Sequence, residues 1–225
     1  MKTQQFLRWS LPAGFLLAVA ALALMVWSYG YRQALDSLAE RSAADLALAS
    51  DRVSTQLQVY QELAVLTAGH PALADLSTPG AREAAAELLR AVADKTAALD
   101  VFFAAADGRV LAAAEGVSGA DVSGQAYFTR AMQGAMGTGH AVLQPGGQRA
   151  YFYAAPVFQP GGVRGALVVA ADVNDVEQTW RGSLPAVFFT GMSGEVFISN
   201  RSELLFWQRS AAGETPRVTG RDRYA

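Results

Sequence analysis

Two glycine-rich turns near the middle of the chain, Pro145-Gly146-Gly147 and Pro160-Gly161-Gly162, constrain the fold more than any other feature. Proline presets the entry to a turn, and glycine accepts the positive φ that many turns require. The segment between them, Ala150–Phe158, is aromatic and apolar, and the segment after them, Val163–Ala171, is almost wholly apolar. We therefore predict an antiparallel hairpin whose second strand is buried on both faces or nearly so.

A short helix is predicted just before this hairpin, over Gln125–Ala135. Tyr127, Arg130 and Ala131 stand three and four positions apart, so they share one face of that helix. A helix that carries an arginine and lies across an antiparallel sheet can form a pocket for a small anion. The competing interpretation of Arg130 is a solvated helical arginine, and the pattern alone favours neither.

The aromatic strand of the hairpin has two distinct faces. Side chains alternate along a strand, so Tyr151 and Tyr153 share one face and Phe152 lies on the other. We expect the tyrosine pair to face the helix that bears Arg130 and to line the pocket. The alternative is ordinary packing of aromatic side chains on a sheet.

A second hairpin signal occurs twice in the chain. Asp107-Gly108 separates the predicted strands Asp100–Ala106 and Arg109–Ala114, and Asp-Gly is a strong hairpin signal. The segment FFAAADGRVLAA is echoed by FFTGMSGEVFIS further along. Two copies of one pattern predict two related lobes in tandem, the second of them incomplete.

The N-terminal region predicts a membrane anchor. Leu11–Tyr29 is apolar throughout, and about 19 residues of helix span the roughly 30 Å hydrocarbon core of a bilayer. Lys2 and Arg8 precede it, which places the N-terminus in the cytoplasm by the positive-inside rule. The competing interpretation is a cleaved signal peptide. We favour the anchor because the helical pattern continues without a cleavage signal.

One long amphipathic helix is predicted over Gln33–Gly69, and Pro71 ends it. Apolar residues from Leu35 to Tyr60 recur at a spacing of 3.5 to 3.6. This stripe can pack on the chain's own domain, or it can pair with a second copy as a parallel dimer. We expect both, over different portions of its length.

Charge and composition exclude several classes of function. The chain has 18 basic and 20 acidic residues, a net charge of −2, and no run of basic residues. Nucleic acid is therefore not an expected partner. The chain has no cysteine, which removes disulfides, zinc–thiolate sites and thiol nucleophiles. His70 and His140 lack the spacing of metal ligands, and we predict surface or capping roles for them. No metal and no cofactor is predicted.

No nucleophile–base constellation, P-loop or dinucleotide fingerprint is present in the sequence. Asp172 and Asp175 stand at the start of a predicted helix over Val173–Arg181, whose inner side carries Trp180. Acidic residues at that position favour helix capping over a paired-carboxylate catalytic site. The sequence therefore contains no catalytic motif.

These motifs, taken in order, resemble a known sensor architecture. The order is a long helix, strand-DGRV-strand, AYFTRAMQG, YFYAAPVF, GVRGALVVAADVNDVEQTW and FFTGMSGEVFISN. It resembles the extracytoplasmic double-Cache (PAS-like) sensor region of two-component histidine kinases. Within that class the chain is most similar to the dicarboxylate-transport sensor kinases, over roughly residues 30–210.

The resemblance implies a fold and a domain order. The fold is α+β: an N-terminal transmembrane helix, a long amphipathic helix, a PAS-like antiparallel-sheet Cache lobe and a partial second lobe. The expected segments are a cytoplasmic tail (1–10), the anchor (11–29), a stalk helix and break (30–80), a membrane-distal ligand-binding lobe (81–183) and an incomplete membrane-proximal lobe (184–225).

The resemblance also implies a function and a set of site residues. It implies a periplasmic small-molecule sensing module of a single-pass protein in the bacterial inner membrane. The implied ligand-binding residues are Tyr127, Arg130, Tyr151, Tyr153 and Asp172, and the implied ligand is a small anion, a carboxylate. Further implied partners are the membrane, a second copy paired through the long helix, and kinase domains with a response regulator that act downstream of this chain.

Two departures from the family pattern bear on the ligand. The family's Thr/Ser-containing loop before the aromatic strand is replaced by Gln144, Pro145 and Gly146. The lysine that is usual in the family near the end of the apolar strand is replaced by Ala170 or Ala171. A second carboxylate would lack partners, so we expect a monocarboxylate, or another ligand with a single anionic head and an uncharged remainder that fits the face of Tyr151 and Tyr153. The input domain of a chemoreceptor, which shares this fold, is the same-class alternative. A membrane-tethered periplasmic hydrolase is a less favoured alternative, because the catalytic constellations are missing.

Overall fold

The structure, a computed structural model, describes residues 2–115, 119–143, 147–182, 185–191, 194–208 and 217–218, with side chains from residue 15 to residue 208. The chain divides into two units, Met1–Ala49 and Ser50–Ala225. The helices are α1 (Lys2–Ala68), α2 (Pro79–Thr96), α3 (Ala126–Met132) and α4 (Val173–Gln178), with short 3₁₀ turns at Pro71–Leu73 and Ser202–Leu204. The strands are β1 (Asp100–Ala105), β2 (Val110–Ala113), β3 (Gly137–Leu143), β4 (Gln148–Gln159), β5 (Gly162–Asp172), β6 (Phe188–Thr190), β7 (Val196–Ser199), β8 (Trp207–Gln208) and β9 (Arg217–Val218).

Helix α1 contains both the predicted anchor and the predicted long helix. Among the residues whose side chains the structure describes, α1 is the one helix long and apolar enough to cross a membrane by length and composition, over Phe15–Ala68. Its most apolar stretch has a mean hydropathy of 1.5. Along the predicted stripe, Leu35 and Leu38 are exposed, whereas Val53 and Leu57 are buried. Packing on the chain's own domain is thus confirmed for the later part of the stripe, and pairing through the earlier part stays a prediction.

The break after α1 is closed by side-chain caps. His70 Nδ1 accepts a hydrogen bond from the Ala72 amide at 3.2 Å, which confirms a capping role for this histidine. Thr78 Oγ1 accepts from the Ala81 amide at 3.2 Å, and Pro79 occupies the first helical position of α2. Both features are favoured at helix N-termini because they leave fewer unsatisfied amides.

A five-stranded antiparallel sheet, with the order β2-β1-β5-β4-β3, forms the centre of the second unit. The predicted central hairpin is confirmed: β4 pairs with β5 from Ala150↔Asp172 to Gln159↔Gly162. Residues 165–171 of β5 are all buried, as expected for a strand covered on both faces. Strand β1 pairs along the other side of β5, which adds the β1–β2 hairpin to the sheet.

Helix α3 packs on the Phe152 face of this sheet. The Tyr127 ring stacks on the Phe152 ring with centroids 4.9 Å apart and planes 15° from parallel. The expectation that Tyr151 and Tyr153 face α3 is therefore wrong. Ala150 and Ala154, on the same face as Phe152, are small enough to leave room for the α3 side chains, and both belong to the same buried cluster.

The two hairpins β1–β2 and β6–β7 are copies of one structure. Phe102 pairs with Ala113 as Phe188 pairs with Ser199, and each partner in the second hairpin stands 86 positions after its counterpart. Each hairpin shifts register at the same place, between Phe103 and Ala104 and between Phe189 and Thr190. The bond from the Ala105 amide to the Arg109 carbonyl (2.9 Å) is repeated between Gly191 and Glu195 (2.8 Å). The predicted repeat is confirmed for these hairpins.

The second lobe is small in the described part of the chain. Strands β6 and β7 form one two-stranded sheet, and β8 and β9 form another. Trp180 follows α4 and is buried, and its Nε1 donates to the Val176 carbonyl at 3.0 Å. The α+β architecture with a complete antiparallel sheet and a partial second lobe is confirmed, and the domain boundaries stay predictions.

Candidate ligand-binding site

A cavity of about 570 Å³ lies at the β3 edge of the five-stranded sheet. Three groups of residues surround it: the start of α3, the strands β3 and β4, and the β6–β7 hairpin. Its lining residues are Gln125, Ala126, Tyr127, Thr138, Gly139, His140, Tyr151, Phe189, Thr190, Gly191, Phe197 and Ile198.

Helix α3 contributes an amide and a phenol to the cavity. Gln125 precedes the helix, is exposed, and its side chain makes no capping hydrogen bond, so the amide is available to a ligand. Tyr127 is buried, and burial raises its pKa to about 12. Its hydroxyl is therefore neutral at physiological pH and can both donate and accept a hydrogen bond.

Two glycines of β3 allow α3 to lie this close to the sheet. A Cβ at Gly137 would stand 1.8 Å from the Tyr127 carbonyl oxygen, and a Cβ at Gly139 would stand 2.9 Å from Tyr127 Cδ1. A larger residue at position 137 would push the helix away, and one at position 139 would displace the Tyr127 ring. The glycines thus fix the position of Tyr127 at the cavity.

Strands β3 and β4 supply polar groups on the face of the sheet opposite α3. Thr138 pairs with Tyr153, and His140 pairs with Tyr151, so these side chains share that face. Thr138 and His140 are exposed and stand at the mouth of the cavity. The His140 ring lies 4.3 Å from the Phe197 ring on β7. This contact brings the β6–β7 hairpin against the sheet.

The cavity is polar at its mouth and apolar at its wall. Among the described lining residues there is no Asp, Glu, Lys or Arg. Gln125, Thr138 and Thr190 are exposed, whereas Phe197 and Ile198 are buried. Such a lining suits a small molecule with an apolar body and one polar end. Within the described residues, no group of three or more His, Asp or Glu side chains could hold a metal ion.

The structure brings two of the five predicted site residues, Tyr127 and Tyr151, to the cavity. Tyr153 is buried beside Tyr151, with ring centroids 5.2 Å apart, and its pKa is raised to about 12, first by burial and then by Tyr151. Asp172 caps α4, accepting from the Asn174 amide at 2.7 Å, which confirms the capping interpretation.

Arg130 lies outside the cavity lining. It is exposed on α3, and its nearest side-chain partner is the Gln133 amide oxygen at 3.5 Å. The buried arc of α3 passes through Tyr127, Ala131 and Phe128, and at 3.6 residues per turn Arg130 lies roughly a third of a turn from the centre of that arc. Its predicted contact with a ligand stays a prediction.

Sequence reasoning missed the residues of β3 and of the β6–β7 hairpin. Thr138 and His140 belong to a segment, GTGHAVL, whose two glycines lower its strand propensity. The alternation of Thr138, His140 and Val142 was the available signal for a strand. Phe197 and Ile198 lie in the repeated segment FFTGMSGEVFIS, but their place at the cavity depends on a long-range contact.

The fold, a long N-terminal helix followed by an antiparallel sheet, is Cache-like, as in the DctB sensor domain. No protein-family profile matches the chain. In sequence it is similar to the C4-dicarboxylate transport sensor protein DctB of Pseudomonas aeruginosa, with 25% identity over 197 residues. That match covers 82% of this chain and 32% of DctB, so the chain spans about a third of this relative's length.

Solved structures carry the same fold. The DctB sensor domain of the V. cholerae histidine kinase matches with a TM-score of 0.71 and 22% identity, over 79% of this chain and 72% of that one. The ligand-binding domain of the Campylobacter jejuni chemoreceptor Tlp3, in complex with 4-methylisoleucine, matches with a TM-score of 0.60 and 15% identity, over 76% and 70%. The resemblance to a Dct-type Cache sensor domain is confirmed.

Proposed function

We propose that this chain is the extracytoplasmic input module of a membrane-anchored two-component sensor kinase, and that a small molecule binds in the cavity at the β3 edge. The observation that carries the proposal is the cavity itself, which has an aromatic wall and a polar mouth in a sensor-domain fold. The sequence similarity to DctB favours the kinase output.

The proposed location follows from α1. Its apolar segment is long enough to span a bilayer, and the positive residues Lys2 and Arg8 precede it. We place the N-terminus in the cytoplasm, the anchor in the bacterial inner membrane, and the Cache lobe in the periplasm. The exposed residues Leu35, Leu38 and Leu46 form the proposed pairing surface of a homodimer.

The proposed ligand has one carboxylate and an uncharged remainder. The exposed groups Gln125, Thr138 and Thr190 can bind a carboxylate at the mouth, where it keeps part of its hydration. A second carboxylate would enter the aromatic part of the cavity, where no Lys or Arg stands among the described lining residues. An uncompensated cost of about 2 kcal/mol weakens binding around thirtyfold. Tyr127 and Tyr151 are the proposed contacts of the apolar body.

Calorimetric titration of the full chain in nanodiscs tests this proposal. Succinate and malate are compared with the monocarboxylates butyrate and isovalerate and with isoleucine. We expect binding of a ligand with one carboxylate and at least about thirtyfold weaker binding of succinate. Gln125→Ala should weaken binding about tenfold, since it removes a hydrogen bond to a charged group. Arg130→Ala tests the predicted contact of that arginine with the carboxylate. Because Arg130 lies outside the cavity lining, the proposed site at the mouth requires an affinity unchanged within roughly twofold.

Two results of this titration would contradict the site. One is succinate binding as tight as that of every monocarboxylate. The other is loss of binding in Arg130→Ala with Gln125→Ala unaffected, which would move the carboxylate out of the cavity mouth.

The second candidate function is the input domain of a chemoreceptor, favoured by the likeness to the Tlp3 domain. The coding sequence after Ala225 separates the two candidates. A second apolar span followed by a histidine phosphoacceptor helix supports the kinase. A methyl-accepting coiled coil supports the chemoreceptor.

A further inference from the structure

Arg149 of β4 is buried and its guanidinium binds four acceptors. It donates to both carboxylate oxygens of Glu177 on α4, at 2.7 Å each. It also donates to Asn174 Oδ1 on α4 and to the backbone carbonyl of Phe197 on β7, again at 2.7 Å each. One side chain thus joins the central sheet, α4 and the second hairpin.

Glu177 completes the connection to β7. Its side chain is 1% exposed, and its Oε1 also accepts from the Ser199 amide at 2.9 Å. Arg149 and Glu177 together therefore bind two alternate residues of one strand, the carbonyl of Phe197 and the amide of Ser199. Arg181 also approaches Glu177, but more weakly than Arg149 does, because its side chain is half exposed and its guanidinium lies 3.7 Å from Glu177 Oε2.

A buried ion pair of this kind is a weak source of stability. Removing two charges from water costs about as much as their attraction returns, and apolar replacements are often neutral. The more specific consequence is geometric. Strand β7 is four residues long and pairs with the three-residue β6. The backbone hydrogen bonds between these two short strands are therefore few.

The strand held in this way forms one wall of the cavity. Phe197 and Ile198 both line it, and the Phe197 ring contacts His140 across the β3 edge. The bonds of Arg149 and Glu177 hold the backbone of β7 on either side of Ile198, at the Phe197 carbonyl and at the Ser199 amide. The apolar wall is therefore fixed relative to β4 by charge-assisted bonds rather than by a continuous sheet.

We infer that the Arg149–Glu177 pair is the positioning element of the cavity: it holds the Phe197–Ile198 wall against the central sheet and couples movement of that wall to α4. The inference rests on the proposed function only in treating the cavity as the ligand site. A ligand that displaces the wall would move Glu177, and with it α4.

Thiol labelling tests the inference without any ligand. The chain has no native cysteine, so Ile198→Cys reports on the wall alone and Leu89→Cys, in α2, reports on the core. Each is made in the full chain in nanodiscs with the pair intact and with Arg149→Met/Glu177→Met, which replaces the two charges by apolar groups of similar size. The rate of labelling by N-ethylmaleimide is measured at both positions.

We expect the rate at position 198 to rise about tenfold or more in the double variant, and the rate at position 89 to stay within roughly twofold. The matched control Arg181→Met, which removes the half-exposed arginine, should change neither rate. An unchanged rate at position 198 would overturn the inference. A parallel rise at both positions would also overturn it, because the pair would then support the whole fold rather than the wall.

The two proposals fail separately. If no tested small molecule binds but the labelling result is as expected, the positioning role stands and the proposed ligand class falls. If binding is found but position 198 stays protected in the double variant, the ligand site stands and the positioning role falls.

Discussion

Gly137 provides a demanding test of how α3 is placed. In Gly137→Ala the new Cβ would stand 1.8 Å from the Tyr127 carbonyl oxygen, 2.7 Å from its carbonyl carbon and 2.9 Å from its Cα. These are backbone atoms of a packed helix, so relief requires movement of α3 by more than an ångström. Over-packing of this kind costs about 3 kcal/mol at the upper end of its range. For a protein of this size that lowers Tm by roughly 6–12 °C.

Two other glycines make the prediction quantitative. In Gly139→Ala the contact at 2.9 Å is with Tyr127 Cδ1, a ring atom that can rotate aside, and we expect a cost of about 1 kcal/mol. In Gly124→Ala no atom lies within 4 Å of the new Cβ, so the stability should change by less than about 0.5 kcal/mol. The expected order of destabilisation is therefore Gly137, then Gly139, then Gly124.

Thermal unfolding of the full chain in detergent, followed by tryptophan fluorescence, measures this series. A second set carries Tyr127→Ala. Removing the ring should abolish the extra cost of Gly139→Ala and should leave that of Gly137→Ala, because the blocking atom there is backbone. Equal Tm values for Gly137→Ala and Gly124→Ala, or rescue of Gly137→Ala by Tyr127→Ala, would refute the placement of α3 against β3.

Two further predictions concern the tyrosines and the stalk. Tyr127 and Tyr153 have folded-state pKa values raised to about 12 from an ordinary 10.0, so their contribution to stability is complete below pH 10 and is lost as pH rises towards 12. Tyrosinate absorbance should show a titration near 12 for each of them, removed by its Tyr→Phe variant, and titration of both near 10 would contradict their burial. Cysteine substitutions between Leu35 and Leu46, the exposed part of the stripe, should crosslink in membranes with a period near 3.5, because the anchor raises the effective concentration of this surface. Crosslinking without periodicity would exclude a specific helix pair.

Local signals in the sequence were sufficient for the hairpins. The β1–β2 turn needs a positive φ at its glycine, and Gly108 has φ 86°. The repeat of that turn at Gly194, with φ 77°, explains why two lobes could be predicted. The central hairpin followed from strand alternation and from glycines on either side. These features depend on residues close together in the chain, so a single sequence contains them.

The site could be predicted only in part, because it depends on contacts between distant segments. The alternation of side chains along a strand placed Tyr151 and Phe152 on opposite faces, but it did not determine which of the two faces α3. The stacking of Tyr127 on Phe152 decided that question, and it depends on close approach at Gly137. Arg149 and Glu177 are 28 positions apart, and no spacing rule pairs a strand residue with a helix residue at that distance.

A cavity-filling substitution tests the central claim, that a small molecule binds at the β3 edge. Thr190→Trp places a large side chain among the lining residues, whereas Phe188→Trp, two residues earlier on β6, lies outside the lining. Both variants are titrated calorimetrically with the tightest-binding monocarboxylate of the panel. We predict that Thr190→Trp abolishes binding with its Tm preserved, while Phe188→Trp binds like the unmodified chain. Full affinity in Thr190→Trp would contradict the account.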